Sequence, residues 1–290
     1  MAKQSERRAE NIAGDVFVDA SCIDCDTCRW MAPEVFARVG SKSAVVRQPR
    51  NAEEERRALE ALVSCPTSSI GTVERHALEP VLEGFPLRVD GDVHHCGFHD
   101  ESSFGAASYF VRREAGNVLV DAPRFSKPLV RRLEELGGVD LMFLTHRDDV
   151  GSHERFRDHF GCDRVLHADD ARGPLRNVEV VLEGSEVVEL AADLKVMPVP
   201  GHTQGSCVLL FDDRYLFSGD HVAWSATLEH VYAFRSACWY DWDTQIASMR
   251  RLATWDFEWI LPGHGRRCRF EREQMRAEMQ RAIAWMVEVA

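Results

Sequence analysis

Four cysteines spaced C-x2-C-x2-C and then C-P constrain the first part of this chain more than any other feature. Cys22, Cys25 and Cys28 lie in one short stretch, and Cys65-Pro66 follows after a gap long enough for a helix. Three thiols at this spacing can wrap one face of a compact metal group. The fourth must be delivered from elsewhere in the fold, and Pro66 interrupts any helix that reaches it. Downstream the donor chemistry changes from sulfur to imidazole and carboxylate, in Thr145-His146-Arg147-Asp148-Asp149, Pro200-Gly201-His202-Thr203, Ser218-Gly219-Asp220 and Pro262-Gly263-His264-Gly265.

The 290 residues suffice for one large domain and one small one. No apolar run approaches the ~18 residues of a membrane helix. Met1 to Gly14 is charged and lacks the apolar region of a secretory signal. Nine cysteines without export point to reduced thiols and metal ligation, hence to a cytoplasmic protein away from membranes. A net charge of −12 argues against nucleic acid as a bulk partner. The pairs Arg131-Arg132, Arg250-Arg251 and Arg266-Arg267 read as solvated faces.

Residues 1–88 read as a compact βα-type module. A strand over Asp15–Ala20 leads into the cysteine triplet, Ala32–Phe36 reads as a helical turn with Pro33 at its first position, and Ala44–Val46 is a strand. Ala52–Val63 has helical apolar spacing and an acidic first turn, and it delivers Cys65. Residues 89–290 form the second module. Its strands are expected at Ser108–Arg112, Val118–Asp121, Asp140–Leu144, Val178–Leu182, Leu194–Val199, Ser206–Phe211 and Arg214–Phe217, with helices at Lys127–Leu136, Thr244–Leu252 and Glu271–Val289. Interspersed strands and helices predict an α/β (α+β) fold, a mixed sheet structure with helices on its outer faces.

The cysteine arithmetic gives one [4Fe–4S] cluster on Cys22, Cys25, Cys28 and Cys65. A structural zinc site favours paired knuckles, which this triplet is not. Residues 15–80, including Phe36 after Ala32-Pro33 and the Cys65-Pro66 pair, resemble the single-cluster ferredoxin family. The resemblance implies a βαββαβ-like fold, an electron-transfer role and a redox partner protein.

The four His and Asp segments each follow an apolar strand, the placement by which a sheet edge presents side chains to one pocket. Their order resembles the metallo-β-lactamase fold family of metal-dependent hydrolases over residues 89–268. The resemblance implies an αββα sandwich with a dinuclear site at one edge, in which His202, Asp220 and His264 match the later metal motifs. The first motif departs from the family's Thr-His-x-His-x-Asp-His. His146 is retained, Asp148 stands where the second histidine would be, and Val150 and Gly151 replace the last two donors. Asp149 and His153 are the candidates to replace them, on one face if a helix starts at Asp149; otherwise Asp149 or Ser152 caps that helix. A carboxylate for an imidazole hardens the site, which then suits iron or manganese better than an all-imidazole set does. Flavodiiron proteins share this fold and a carboxylate at that position, but no flavin-binding candidate is visible here.

His94, His95 and His99 read either as a loop over the pocket or as surface residues. Trp239, Tyr240 and Trp242 read as pocket lining or core, and Cys207 and Cys238 as small buried hydrophobes. The leading functional expectation is a hydrolase with a fused cluster, in which one or two divalent metals on His146, Asp148, Asp149, His153, His202, Asp220 and His264 activate water against a small-molecule ester, thioester or phosphoester. Asp148 and Asp149 are its candidate catalytic groups. The alternatives are an oxidoreductase whose cluster feeds a non-haem iron site, and a non-catalytic redox or iron sensor.

Overall fold

The computed structural model describes residues 2–290. Two compact units emerge. The first holds residues up to Asn117, Ala122–Val139 and Gly151–Phe156; the second holds Val118–Asp121, Asp140–Val150 and Arg157–Ala290.

The first unit opens with β1 (Val16–Val18), α1 (Thr27–Met31), β2 (Phe36–Val39), β3 (Lys42–Val45), α2 (Ala52–Ser64) and β4 (Ile70–Thr72), the βαββαβ order expected of a single-cluster ferredoxin. β1 pairs antiparallel with β4, Phe17 opposite Gly71, and β2 with β3, Phe36 opposite Val45. α1 precedes Pro33, and the expected turn follows it at Pro33–Val35, the Val35 and Phe36 amides both donating to the Ala32 carbonyl at 3.0 Å. A residue before proline is disfavoured in α conformation, so Ala32 leaves the helix and Phe36 already begins a strand. α2 begins where Asn51 accepts from the Glu54 amide at 3.0 Å. It buries Ala58, Leu59, Ala61 and Val63, then hands the chain to Cys65 in extended conformation. The unit continues through α3 (Glu79–Gly84), an antiparallel meander β5 (Leu87–Asp90), β6 (Val93–His95) and β7 (Tyr109–Val111), and α4 (Lys127–Glu135).

The second unit has two sheets. β8 (Val118–Val120), β9 (Leu141–Phe143), β10 (Asp163–His167), which follows α5 (His153–Phe160), and β11 (Val180–Leu182) run parallel. The other sheet begins with β12 (Val188–Ala191), β13 (Leu194–Pro198), β14 (Cys207–Phe211) and β15 (Tyr215–Gly219), each antiparallel to the one before. A ribbon of β16 (Ala223–Ser225) and β17 (His230–Tyr232) precedes α6 (Trp242–Leu252). Then β18 (Trp259–Pro262) joins the sheet parallel to β15, followed by β19 (Cys268–Arg269) and α7 (Arg272–Glu288). Ile246 and Met249 of α6 and Met275, Met279 and Met286 of α7 pack on Met197, Val208, Leu216 and Ile260 of this sheet, forming its buried core. Among the described residues, no helix is long and apolar enough to cross a membrane.

Candidate metal centre

Strand direction assembles the second unit's site. β13, β15 and β18 run the same way, because β13 and β15 are each antiparallel to β14 and β18 is parallel to β15. Their C-terminal ends therefore share one edge, and His202, Asp220 and His264 follow those ends in sequence. His146 follows β9, and the Thr145 carbonyl accepts from the Cys207 amide at 2.8 Å, joining that loop to the start of β14.

Two groups of donors lie within ligand-sharing distance: His146, Asp148 and His202, and His146, Asp149 and Asp220, with all donor atoms of a group within 4.8 Å of one another. His264 Nδ1 lies 2.9 Å from Asp220 Oδ2 and 3.8 Å from Asp149 Oδ2. His153 belongs to neither group; it opens α5, buried. Because α5 begins only at His153, Asp149 lies ahead of the helix and is not helical. The Ser152 hydroxyl donates to Asp100 Oδ2 at 3.1 Å instead of capping.

Each imidazole is held in a defined tautomer. His202 Nδ1 lies 2.5 Å from the Ala237 carbonyl, which can only accept, so Nδ1 carries the proton and Nε2 presents its lone pair. His146 Nδ1 donates to Thr145 Oγ1 at 2.9 Å, and that hydroxyl donates to Asp121 at 3.0 Å. His146 Nε2, His202 Nε2 and Asp149 Oδ2 are buried and have no hydrogen-bond partner among the described residues. Buried polar atoms are rarely left so, and a cation is what lone pairs aimed together accommodate.

Electrostatics point the same way. Burial, aided by the Asp220 charge, holds the Asp149 carboxyl well above the ordinary range. Burial works against ionisation of Asp220 too, but His264 by charge and hydrogen bond, then His146 and His202, outweigh it and hold that carboxyl low. Two carboxylates this close do not both ionise without a positive charge between them. Burial pushes His146 down to about 4, leaving its imidazole neutral as a ligand must be. Asp148 is the open member, its side chain 42% exposed and its carboxyl held low first by the His202 imidazole, whose Nε2 lies 3.6 Å from Oδ2.

Two residues that carry no sequence signal support these loops. Buried Asp121 anchors Thr145 through the backbone amide at 2.8 Å as well as the hydroxyl, and burial raises its carboxyl to about 7. Fully buried Asp170 accepts from the Arg147 amide at 3.1 Å, Thr203 Oγ1 at 2.6 Å and the Gly205 amide at 3.2 Å, tying the first motif to the His202 loop. Trp242 is core, whereas Trp239 and Tyr240 are exposed, and the Trp239 ring lies 6.2 Å from that of His202.

In the first unit the cysteine loop turns twice through left-handed residues, Asp24 and Asp26, whose carboxylates both grip Arg29. Cys22, Cys28 and Cys65 are buried and Cys25 partly so. The four are close together: Cys25 feels charge on Cys65 and Cys22, and Cys28 feels charge on Cys25 and Cys65. Burial pushes the Cys25 thiol up to about 11 and Cys28 higher still, so thiolates persist here only against a compensating cation. The Ser69 amide already donates to Cys65 Sγ at 3.2 Å. His95 and His99 are not surface residues: both are buried, His99 against Thr27 of the cysteine loop.

With this geometry in place, comparison with known families becomes specific. The family description "Metallo-beta-lactamase superfamily" matches residues 103–264, more than half of the chain. The chain belongs to the metallo-beta-lactamase superfamily. Residues 18–72 match the 4Fe-4S single cluster domain of ferredoxin I, so this superfamily member carries a fused iron–sulfur module. A hydroxyacylglutathione hydrolase of Rhodospirillum rubrum is 32% identical over 117 residues, 39% of this chain and 46% of the relative; the chain thus spans about half the length of that curated relative. Among solved structures, the DIM-1 metallo-beta-lactamase exposed to ceftazidime superposes with a TM-score of 0.55 at 17% identity, covering 70% of this chain and 96% of that one. The BLEG-1 B3 metallo-beta-lactamase gives 0.51 at 16%, covering 67% and 99%. These likenesses show the superfamily's αββα fold.

Proposed function

We propose that this superfamily enzyme is a metal-dependent hydrolase of an ester or thioester, with residues 1–88 as the electron-carrying module and residues 89–290 as the hydrolytic one. The observation that carries the reading is the pair of donor groups that share His146. His146, Asp148 and His202 would hold one divalent metal, and Asp149, Asp220 and His264 the second. We assign Asp149 rather than His153 to that second metal, because its orphaned Oδ2 lies 3.8 Å from His264 Nδ1. A divalent metal held there would supply Lewis acidity toward water and the acyl group.

The chain's own residues prepare that chemistry. Asp121 and Thr145 keep His146 Nε2 aimed inward, and the Ala237 carbonyl does the same for His202. Asp148, ionised and half exposed, is the donor left open to water and to a small-molecule substrate. The Rhodospirillum relative supports a thioester as substrate; phosphoester hydrolysis is the comparison to run beside it. The test is anaerobic purification, metal and sulfide analysis per chain, and assays with 4-nitrophenyl acetate, an S-hydroxyacylglutathione and bis(4-nitrophenyl) phosphate. His202→Ala should lose the non-cluster metal and cut ester or thioester turnover at least a hundredfold; undiminished turnover in the metal-depleted variant would overturn the reading.

The carboxylate at position 148 favours a second reading. A donor set this rich in oxygen suits iron or manganese, and a cluster fed by a redox partner protein could reduce a small molecule at that site. Iron in excess of four per chain, lost in His202→Ala, is the result that selects it.

A further inference from the structure

Residues 95–105 lie beyond the 18–72 stretch that matches the single-cluster ferredoxin, yet they pack on its cysteine loop. Gly105 has φ +84, and a Cβ built there would stand 3.0 Å from Cys25 Cβ, 3.2 Å from Cys25 Sγ and 2.9 Å from Pro66 Cγ. Only a bare backbone in left-handed conformation can lie this close over a cluster ligand. The Gly105 carbonyl is in turn 2.7 Å from His99 Nδ1, which is also 3.0 Å from Thr27 Oγ1. Thr27 Oγ1 is 3.4 Å from Cys25 Sγ. His99 Nε2 meets His95 Nε2 at 2.8 Å, and the Trp30 ring packs 5.1 Å from His95 and 6.3 Å from His99.

Counting protons along this line gives each bond a direction. A carbonyl cannot donate, so Nδ1 of His99 carries hydrogen, directed at Gly105 and shared with Thr27. The Thr27 oxygen therefore accepts from the histidine, which leaves its own hydrogen to donate. Cys25 as a cluster ligand is a thiolate without a proton, so its sulfur is the acceptor. Hydrogen bonds to ligand sulfur stabilise the more negative, reduced cluster and raise its potential. We propose that Thr27 donates to Cys25 Sγ under the control of His99, making His99 a positioning residue that, with the Gly105 cap, sets the reduction potential of the cluster. The inference rests on the cluster and is independent of what the second unit hydrolyses.

The test is a redox titration of the full chain, reconstituted with iron and sulfide and followed by the electron paramagnetic resonance of the reduced cluster. Thr27→Val keeps shape and removes the hydroxyl; the ratio of reduced to oxidised cluster at fixed poise should fall about tenfold, or about 59 mV for one electron. Thr27→Ser should restore it. His99→Ala should lower the ratio in the wild-type background and change nothing further in Thr27→Val, because it acts through that hydroxyl. Iron and sulfide per chain should stay at wild-type values throughout. A wild-type potential in cluster-replete Thr27→Val, or equal effects of His99→Ala in both backgrounds, overturns the proposal. Should Thr27→Val not hold four irons, His99→Ala decides alone, and an unshifted potential there overturns it equally. Loss of ester turnover with this pattern intact would count against the hydrolase reading only.

Discussion

At residue scale, the second unit's site depends on small and silent positions as much as on its donors. A Cβ on Gly263 would stand 2.5 Å from Asp149 Oδ2 and 3.1 Å from Asp220 Oδ1. Gly263→Ala should therefore push the two carboxylates apart and weaken metal binding about tenfold or more, the scale of a lost supporting contact, with little change in far-ultraviolet circular dichroism. Metal-binding titrations of the folded variant check this; unaltered affinity would show that the carboxylates have room to move. Asp170 offers a harsher case, since removing it leaves three donors without their buried acceptor. Asp170→Ala should destabilise the chain by about 3–5 kcal/mol, measured by urea unfolding. Gly263 was legible as part of Pro-Gly-His-Gly. Asp121 and Asp170 were not, because a carboxylate that satisfies backbone amides leaves no local pattern in sequence.

At the scale of elements, strand ends and caps do the positioning. The Asn51 cap orients α2, the helix that delivers Cys65; Asn51→Ala should cost about 1 kcal/mol, read as a lower unfolding midpoint. The β10–β11 pair is clamped by Glu179, which accepts from the Arg164 amide and Nε, both at 2.9 Å, and also from Nη2. These bonds, the Arg164 side chain first, pull the Glu179 carboxyl from 4.5 down to about 2. A depressed carboxyl contributes stability that is fully present above the unfolded value and lost as pH falls from about 4.5 towards 2. Glu179→Gln should accordingly be less stable than wild type at pH 7 and converge on it as pH drops through that window; parallel stability curves would refute the assignment. Most of the expected strands and helices were readable, since their apolar periods are those of packed elements. The turn at Pro33 was legible, whereas the five-residue α1 just ahead of it was not, because so short a helix over Thr27–Met31 has no apolar period of its own.

For the whole molecule, the two metal chemistries should separate experimentally. EDTA should remove the divalent metal of the second unit while the visible absorbance of the thiolate-held cluster persists, and added metal should raise thermal stability by ligand linkage, about 2.7 kcal/mol at a hundredfold excess over the dissociation constant. Loss of both together would mean that one depends on the other. The composite nature of the protein is written in its amino-acid sequence. Cysteine spacing and strand-end His and Asp motifs are local, and the covalent chain alone dictates them. It took packing to turn the Asp149 carboxylate towards His264, to brace the loops with Asp170 and Asp121, and to bury His95 and His99 beside the cysteine loop. Those outcomes depend on which distant backbone amides, carbonyls and ring nitrogens must find partners once water is excluded, a constraint that exists only after the chain has packed.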